Sequence, residues 1–277
     1  MMQELSTGIR LSVSEFGDPE AEPLLMVTGA GGSKDGWGPL IRALATRYRL
    51  ICFDCRGLGE SDAGDGPLSM DALADDMAAL LDALGIARTH VLAWSFGSGV
   101  AQAFALRHAE RLGALVLWST WGRTDGYMQA MFTALRYPFA RRDPETAVSV
   151  LRLVFSPELL GSPASGELLE ELVPLFPRTE EQLRTTVEQW DAALAHDTLD
   201  RLPSITGPTL VVAGEKDVLC PPRMGQAVAA RLPDARYEVF CGPGSSHALG
   251  LERPDEFSTL VFGFLADHPL AALAGAR

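Results

Sequence analysis

The chain has 277 residues and a formal net charge of −13, and 47 % of its residues are hydrophobic. That much apolar material builds a core of ordinary globular size, as one large α/β domain or two small ones. The acidic balance excludes a surface built for nucleic acid or anionic lipid, since both need a basic face.

Met1–Arg10 holds no apolar run, and no stretch approaches the ~18 apolar residues of a membrane span. A soluble, cytoplasmic protein with no membrane or nucleic-acid partner is therefore expected. Residues 9–16 and 24–28 read as strands, the first alternating and the second continuously apolar. A helix is expected over 38–47 and a buried strand over 49–54. The clearest helix covers 70–84, where Leu73, Met77, Leu80, Leu81 and Leu84 form one apolar stripe. Ser69 is its expected N-cap, Asp71 suits the positive end of the dipole, and Gly85 stops it. A strand at 89–94, a helix at 96–108 and a strand at 113–118 follow.

Residues 121–200 break this rhythm. They carry helical patterns punctuated by Pro138, Pro144, Pro157, Pro163, Pro174 and Pro177. A strand at 208–213, a helix at 222–231, a strand at 236–241 and a helix at 254–266 then resume it. Alternation of this kind predicts βαβ units and a mostly parallel, doubly wound sheet. The expected organisation is an α/β core from 1–120 and 201–277, with 121–200 as a helical cap rather than an independent domain.

Cys52 and Cys55 have CxxC spacing, but no second such pair completes a zinc site, and Cys52 lies in an apolar strand. Small buried hydrophobes in a reducing compartment is the favoured reading, with no metal and no structural disulfide.

The chemistry is concentrated at the ends of the expected strands. Val91–Gly99 runs from a strand through Ser95 into a helix, as a nucleophile elbow does. The neighbours two positions away, Ala93 and Gly97, are small enough for a sharp turn. The turn would lift the Ser95 hydroxyl above the sheet and aim the Phe96 N–H at an oxyanion. The plainer alternative is an ordinary N-cap serine. A serine nucleophile needs a base and a group to orient it, in the chain order Ser, acid, His. His90 and His108 come too early and read as structural, His268 lies in the tail, and His196 beside Asp197 suits a capping or surface role. His247, in a loop of small residues after the last strand, remains. Asp217, just past the strand at 208–213, is the natural acid. Glu215 more readily caps the turn, and Asp125 sits several residues too far along. The glycine-rich run Thr28–Ser33 can turn backbone N–H groups inward, and Ala30 is the expected second oxyanion donor. A phosphate cradle is the competing reading, but GxGxxG and GxxxxGK[ST] are both missing.

Together these segments resemble the α/β-hydrolase superfamily. The glycine-rich loop at 28–33, the run Asp54–Asp62 similar to a DxRGxGxSD segment, the elbow at 93–97, GExD at 214–217 and the His247 loop occur in that order. The nearest resemblance is to the esterase and 3-oxoadipate enol-lactonase branch. It implies an α/β-hydrolase fold with a lid inserted after the sixth strand, a Ser95–His247–Asp217 triad, oxyanion donors at Ala30 and Phe96, and no cofactor. Asp54–Asp62 would be mostly structural. Thr28 replaces the histidine usual before Gly29, and Ala93 replaces the first glycine of the elbow. A serine rather than an aspartate at 95 argues against the epoxide-hydrolase and haloalkane-dehalogenase branches.

The insert is rich in apolar and aromatic side chains, including Phe155, Phe176 and Trp190. Trp121, Met128, Met131 and Phe132, with Trp37 from the core, are the candidates to line a substrate pocket, although most of such a stripe must simply pack the cap. The expected activity is cofactor-free hydrolysis of a carboxylic ester or lactone of a small, largely apolar substrate. The same site could instead serve C–C bond hydrolysis, acyl transfer or a non-hydrolytic step, and a ligand-binding protein with a vestigial triad is a third possibility.

Overall fold

Alternate residues of each central strand face opposite sides of one sheet, and the two sides bury different partners. The computed structural model describes residues 1–163 and 165–273. Eight strands are ordered β1 (Met2–Glu4), β2 (Arg10–Phe16), β4 (Arg49–Phe53), β3 (Pro23–Val27), β5 (Thr89–Trp94), β6 (Leu112–Trp118), β7 (Thr209–Gly214) and β8 (Ala235–Phe240) across the sheet. The β1–β2 and β2–β4 pairs are antiparallel and all others parallel.

Leu25, Val27, Ile51, Phe53, Val91, Ala93, Leu115 and Leu117 point to one face. There they meet α2 (Met70–Ala83), α3 (Phe96–Arg107) and α9 (Pro222–Ala229). Leu24, Met26, Leu50, Cys52, Leu92, Val116 and Trp118 point to the other, against α1 (Pro39–Leu44) and α11 (Pro254–Ala266). Each Val, Leu, Ile, Phe or Met among them contributes roughly 1.5–3 kcal/mol of burial. A strand buried on both faces reads as a continuous apolar run, which is why 24–28 and 113–118 do so.

The α2 helix carries the expected caps. Ser69 accepts the Ala72 N–H at 3.1 Å, and Gly85 takes φ +68° at the far end. Leu73, Met77, Leu80 and Leu81 are buried and Leu84 partly so. Cys52 and Cys55 fall in the cores on opposite faces of the sheet, and burial pushes both thiols up to about 12. That placement removes them from redox or metal chemistry. Cys220 is buried too, whereas Cys241 is exposed.

Between β6 and β7 lie α4 (Gly126–Ala140), α5 (Pro144–Leu151), α6 (Pro157–Leu160), α7 (Ser165–Leu172) and α8 (Glu180–Leu194). Pro144 and Pro157 open helices at the first turn, where a missing N–H costs nothing. Pro138 does not separate two helices as expected. It lies in the last turn of α4, where only one main-chain bond is forfeited. The short strand β1 was not expected; it pairs along β2 at the edge of the sheet. After β8 come α10 (Leu249–Glu252), α11 and α12 (Leu270–Leu273).

Candidate active site

Ser95 joins β5 to α3 with φ +55° and ψ −123°. A left-handed φ on a non-glycine residue costs on the order of 1–3 kcal/mol and persists only where the surroundings hold it. Here they do. The Ser95 N–H donates to Trp118 O at 2.9 Å, and the Ser98 N–H and Oγ–H donate to Ser95 O at 2.8 and 2.6 Å. A Cβ on Gly97 would lie under 3.0 Å from the carbonyl oxygens of both Val27 and Thr28, so β3 passes the elbow at glycine distance. Ala93, two residues before the serine, fits fully buried in the sheet. Phe96 opens α3, so its N–H is among those with no partner inside the helix.

The loop after β3 packs on this turn. A Cβ at Gly29 would stand 3.3 Å from Ser95 Cβ and 3.8 Å from its Oγ. The Gly32 N–H donates to Gly29 O at 3.0 Å, which puts Ala30 and Gly31 at the corners of a tight turn. Farther on, Asp54 Oδ1 accepts the Lys34 N–H at 2.7 Å, and Ser61 Oγ–H holds Asp54 O at 2.7 Å. Arg56 grips buried Asp76 through two bonds of 2.6 and 2.7 Å. The Asp54–Asp62 run therefore braces loops.

Asp217 follows β7 and His247 follows β8. The His247 Nδ1 lies 2.9 and 3.0 Å from the two Asp217 carboxylate oxygens, and both side chains are buried. Asp217 Oδ1 also accepts the N–H groups of Leu219 at 2.9 Å and Cys220 at 2.8 Å. A carboxylate satisfied in this way requires the proton on Nδ1, which leaves Nε2 as the basic nitrogen. Gly214 lets the two loops meet, since a Cβ there would press on Ser245 O and Ser246 O. Glu215 accepts the Gly242 N–H at 3.0 Å and so holds the turn. The indole N–H of Trp94 donates to His247 O at 3.0 Å.

Ser95 and His247 border one cavity of about 80 Å³. Gly29, Ala30, Trp94 and Leu219 are among the residues on its core side. Leu151, Val154, Phe155, Leu175, Phe176 and Trp190 close it from the helical segment. The five residues expected to line it lie elsewhere. Trp37 is buried on the far face of the sheet, in the same core cluster as α1. Trp121, Met128 and Phe132 pack α4 onto the core and α8, with Phe132 5.2 Å from Trp121 and 5.4 Å from Trp190 between ring centres. Met131 is half-buried against the same cluster. Helical spacing marks that stripe as buried, and the partner it buries against is α8.

The other candidates are structural. Asp125 caps α4 by accepting the Met128 N–H at 2.9 Å. His90 Nδ1 accepts the Ala114 N–H at 3.0 Å inside the sheet, and burial lowers its pKa. His108 pairs with Asp75 at 2.8 Å, and His268 packs on Phe264. His196 is not on the surface as expected. It is buried 3.3 Å from Gln102 Oε1 and 3.2 Å from Thr198 Oγ, and burial pushes it down to about 4. Among the described residues no cluster of three or more His, Cys, Asp or Glu side chains could hold a metal ion.

Comparison with known proteins agrees with this architecture. A "Putative carbamate hydrolase RutD" from Azorhizobium caulinodans is 33 % identical over 249 residues, covering 88 % of this chain and 91 % of that protein. The enol-lactonase from Burkholderia xenovorans LB400 superposes with a TM-score of 0.86 at 25 % identity, over 96 % of this chain and 100 % of that one. A thermophilic esterase from Thermogutta terrifontis gives 0.83 at 25 % identity, over 97 % and 99 %. The alpha/beta hydrolase fold family matches residues 22–254. With strained Ser95 at the end of β5 and the imidazole–carboxylate pair at the ends of β7 and β8, the chain belongs to that family and is a hydrolase of the α/β type.

Proposed function

We propose that the chain hydrolyses a carboxylic ester or lactone of a small, largely apolar substrate through an acyl-enzyme, with no cofactor. The observation that carries this reading is the cavity. Ser95 and His247 sit in its wall, and among the described residues no other lining residue carries an ionisable side chain. An uncharged, largely apolar acyl group enters such a space at far lower desolvation cost than a carboxylate or ammonium, which would be stripped of water without a counter-ion.

Ser95 attacks the acyl carbon while His247 Nε2 takes its proton. Asp217 holds the imidazole and stabilises the imidazolium that forms. The N–H groups of Ala30 and Phe96 stabilise the tetrahedral oxyanion. His247 returns the proton to the leaving alcohol, then activates water to release the acid. In this reading 1–120 and 201–277 form the catalytic core, and 121–200 act as its cap by supplying the apolar wall over Ser95. A cytoplasmic location is part of the proposal, supported by four free cysteines and by the lack, among the described residues, of a helix long and apolar enough to cross a membrane.

A carbamate is the second reading. The Azorhizobium relative's name supports it, and a carbamate carbonyl would meet the same groups. The test is a panel of short and long esters, lactones and carbamates, with Ser95→Ala as the blank. The expected result is turnover of short esters or lactones, lost by roughly 10⁴-fold or more in Ser95→Ala with the fold unchanged. Incorporation of one ¹⁸O from labelled water into the product acid marks hydrolysis. Its absence would indicate acyl transfer or a non-hydrolytic step. A folded protein whose Ser95 resists a fluorophosphonate would be a binder instead.

A further inference from the structure

The glycine loop that carries the Ala30 N–H is held from above by the helical segment. Gln189 of α8 is fully buried, and its Oε1 accepts the Gly31 N–H at 2.8 Å, across 158 residues of sequence. Gly31 has φ +69°, and a Cβ there would stand 3.1 Å from Pro177 and 3.3 Å from Thr186. The helical segment thus meets the loop at three residues, with one directed bond.

That bond acts on the peptide plane next to the proposed oxyanion donor. The Gly31 N–H belongs to the Ala30–Gly31 peptide, and the Ala30 N–H to the Gly29–Ala30 peptide. The two planes are the adjoining links of the turn closed by Gly32 N–H to Gly29 O. Three of the four residues in this turn are glycine, which populates both signs of φ at little cost. Left to itself such a turn can flip a plane, and a flip would swing the Ala30 N–H off target. Lys34 is fixed by Asp54, but Gly31 lies three residues nearer the site.

The Gln189 amide has a further peculiarity: its Nε2 is buried with no partner among the described residues. An orphaned buried donor costs about 1–3 kcal/mol. Turning the amide over would place Nε2 against the Gly31 N–H, donor to donor, so the orientation is forced. A buried amide kept at this cost, with its acceptor alone engaged, points to that acceptor as the useful half.

We propose that Gln189 is a positioning residue: by holding the Ala30–Gly31 peptide it sets the Ala30 N–H toward the oxyanion, so that catalysis depends on the helical segment being seated. The proposal rests on the Ser95 acyl-enzyme reading above. Movement of α8 away from the core would release Gly31 and disable the oxyanion hole along with opening the cavity.

Three variants test it with a short p-nitrophenyl ester and a trifluoromethyl ketone, which adds to an active serine and develops the oxyanion. Gln189→Met keeps the shape and removes the acceptor. Gln189→Asn withdraws the amide by one methylene. Gln189→Glu keeps an acceptor. The expected result is a fall in kcat of roughly 10- to 100-fold in the first two, with KM within about threefold and the ketone weakened in step with kcat. Gln189→Glu should retain at least about a third of wild-type kcat. The proposal is overturned if Gln189→Asn keeps kcat within about twofold, or if KM and ketone affinity worsen equally. Should Gln189→Met fail to fold, the Asn and Glu variants decide. Wild-type protein that turns over no ester and resists fluorophosphonate would instead sink the acyl-enzyme reading itself, which separates the two failures.

Discussion

Trp94 and Gly97 flank the serine and act on it in different ways. The Trp94 indole ties the turn at Ser95 to the His247 loop by donating to His247 O, and its ring lies 5.7 Å from the imidazole. Trp118 stacks behind it at 4.7 Å, so the indole cannot retreat. Trp94→Phe keeps a ring there and gives up one neutral hydrogen bond, worth about 1 kcal/mol, or roughly a fivefold change in rate constant. A drop in kcat of that size is expected in steady-state kinetics, and an unchanged kcat would reduce the indole to a cavity wall. Gly97 is a matter of space alone. Its missing side chain is where the Val27 and Thr28 carbonyls pass, so Gly97→Ala must push β3 and α3 apart. A loss of roughly 3 kcal/mol or more in urea unfolding is expected, toward the upper end for overpacking because the obstructing atoms are backbone. Full stability in that variant would contradict the close approach.

At the scale of elements, the helical segment between β6 and β7 supplies the apolar wall of the cavity at Ser95. The cavity of about 80 Å³ is roughly half the ~150 Å³ that holds a benzene ring, so it accommodates a few heavy atoms. Acetyl to butyryl esters should therefore be preferred over octanoyl in kcat/KM. Phe155→Ala or Phe176→Ala, by opening the wall, should move that preference to longer chains. A chain-length profile unaltered by both substitutions would place the acyl site elsewhere. The wall also marks the limit of what sequence patterning reveals. Ser95, Asp217 and His247 could be located because each follows a strand and sits in a turn with a recognisable composition. The wall could not. Met128 and Phe132 have helical spacing, but periodicity reports burial and not the identity of the neighbour. Val154 and Leu175 lie in three-residue 3₁₀ turns, too short to show any period. Phe176 and Trp190 were visible as aromatics, with nothing local to say that they point at the site. Strand β1 escaped for a similar reason: three residues at a sheet edge, two of them exposed, show no alternation to detect.

Across the whole molecule, His196 joins the helical segment to the core where the chain returns to β7. Its neighbour Gln102 lies on α3 and donates through Nε2 to Thr120 Oγ at 2.8 Å and Trp121 O at 3.0 Å, while Thr198 Oγ–H donates to Gln102 Oε1. Burial pushes the imidazole down to about 4, against weaker upward pulls from the Trp121 carbonyl and Asp197, with a smaller downward push from Arg201. In the unfolded chain the same group takes its proton near 6.5. Between those values the unfolded state binds the extra proton, so stability must fall as pH drops from about 6.5 toward 4. The shift corresponds to about 3 kcal/mol at most, a sizeable share of a typical 5–15 kcal/mol total. Burial lowers His90 as well and adds loss of the same sign, whereas carboxylates held low by arginines, such as Asp62 and Asp200, resist until lower pH. The comparison that isolates His196 is therefore wild type against His196→Gln, which can keep a hydrogen bond to its neighbours without titrating. Urea midpoints at pH 7.5, 6, 5 and 4.5 should fall steeply for wild type and less steeply for the variant. Parallel curves would show that this imidazole takes up its proton in the folded protein as readily as in the unfolded chain.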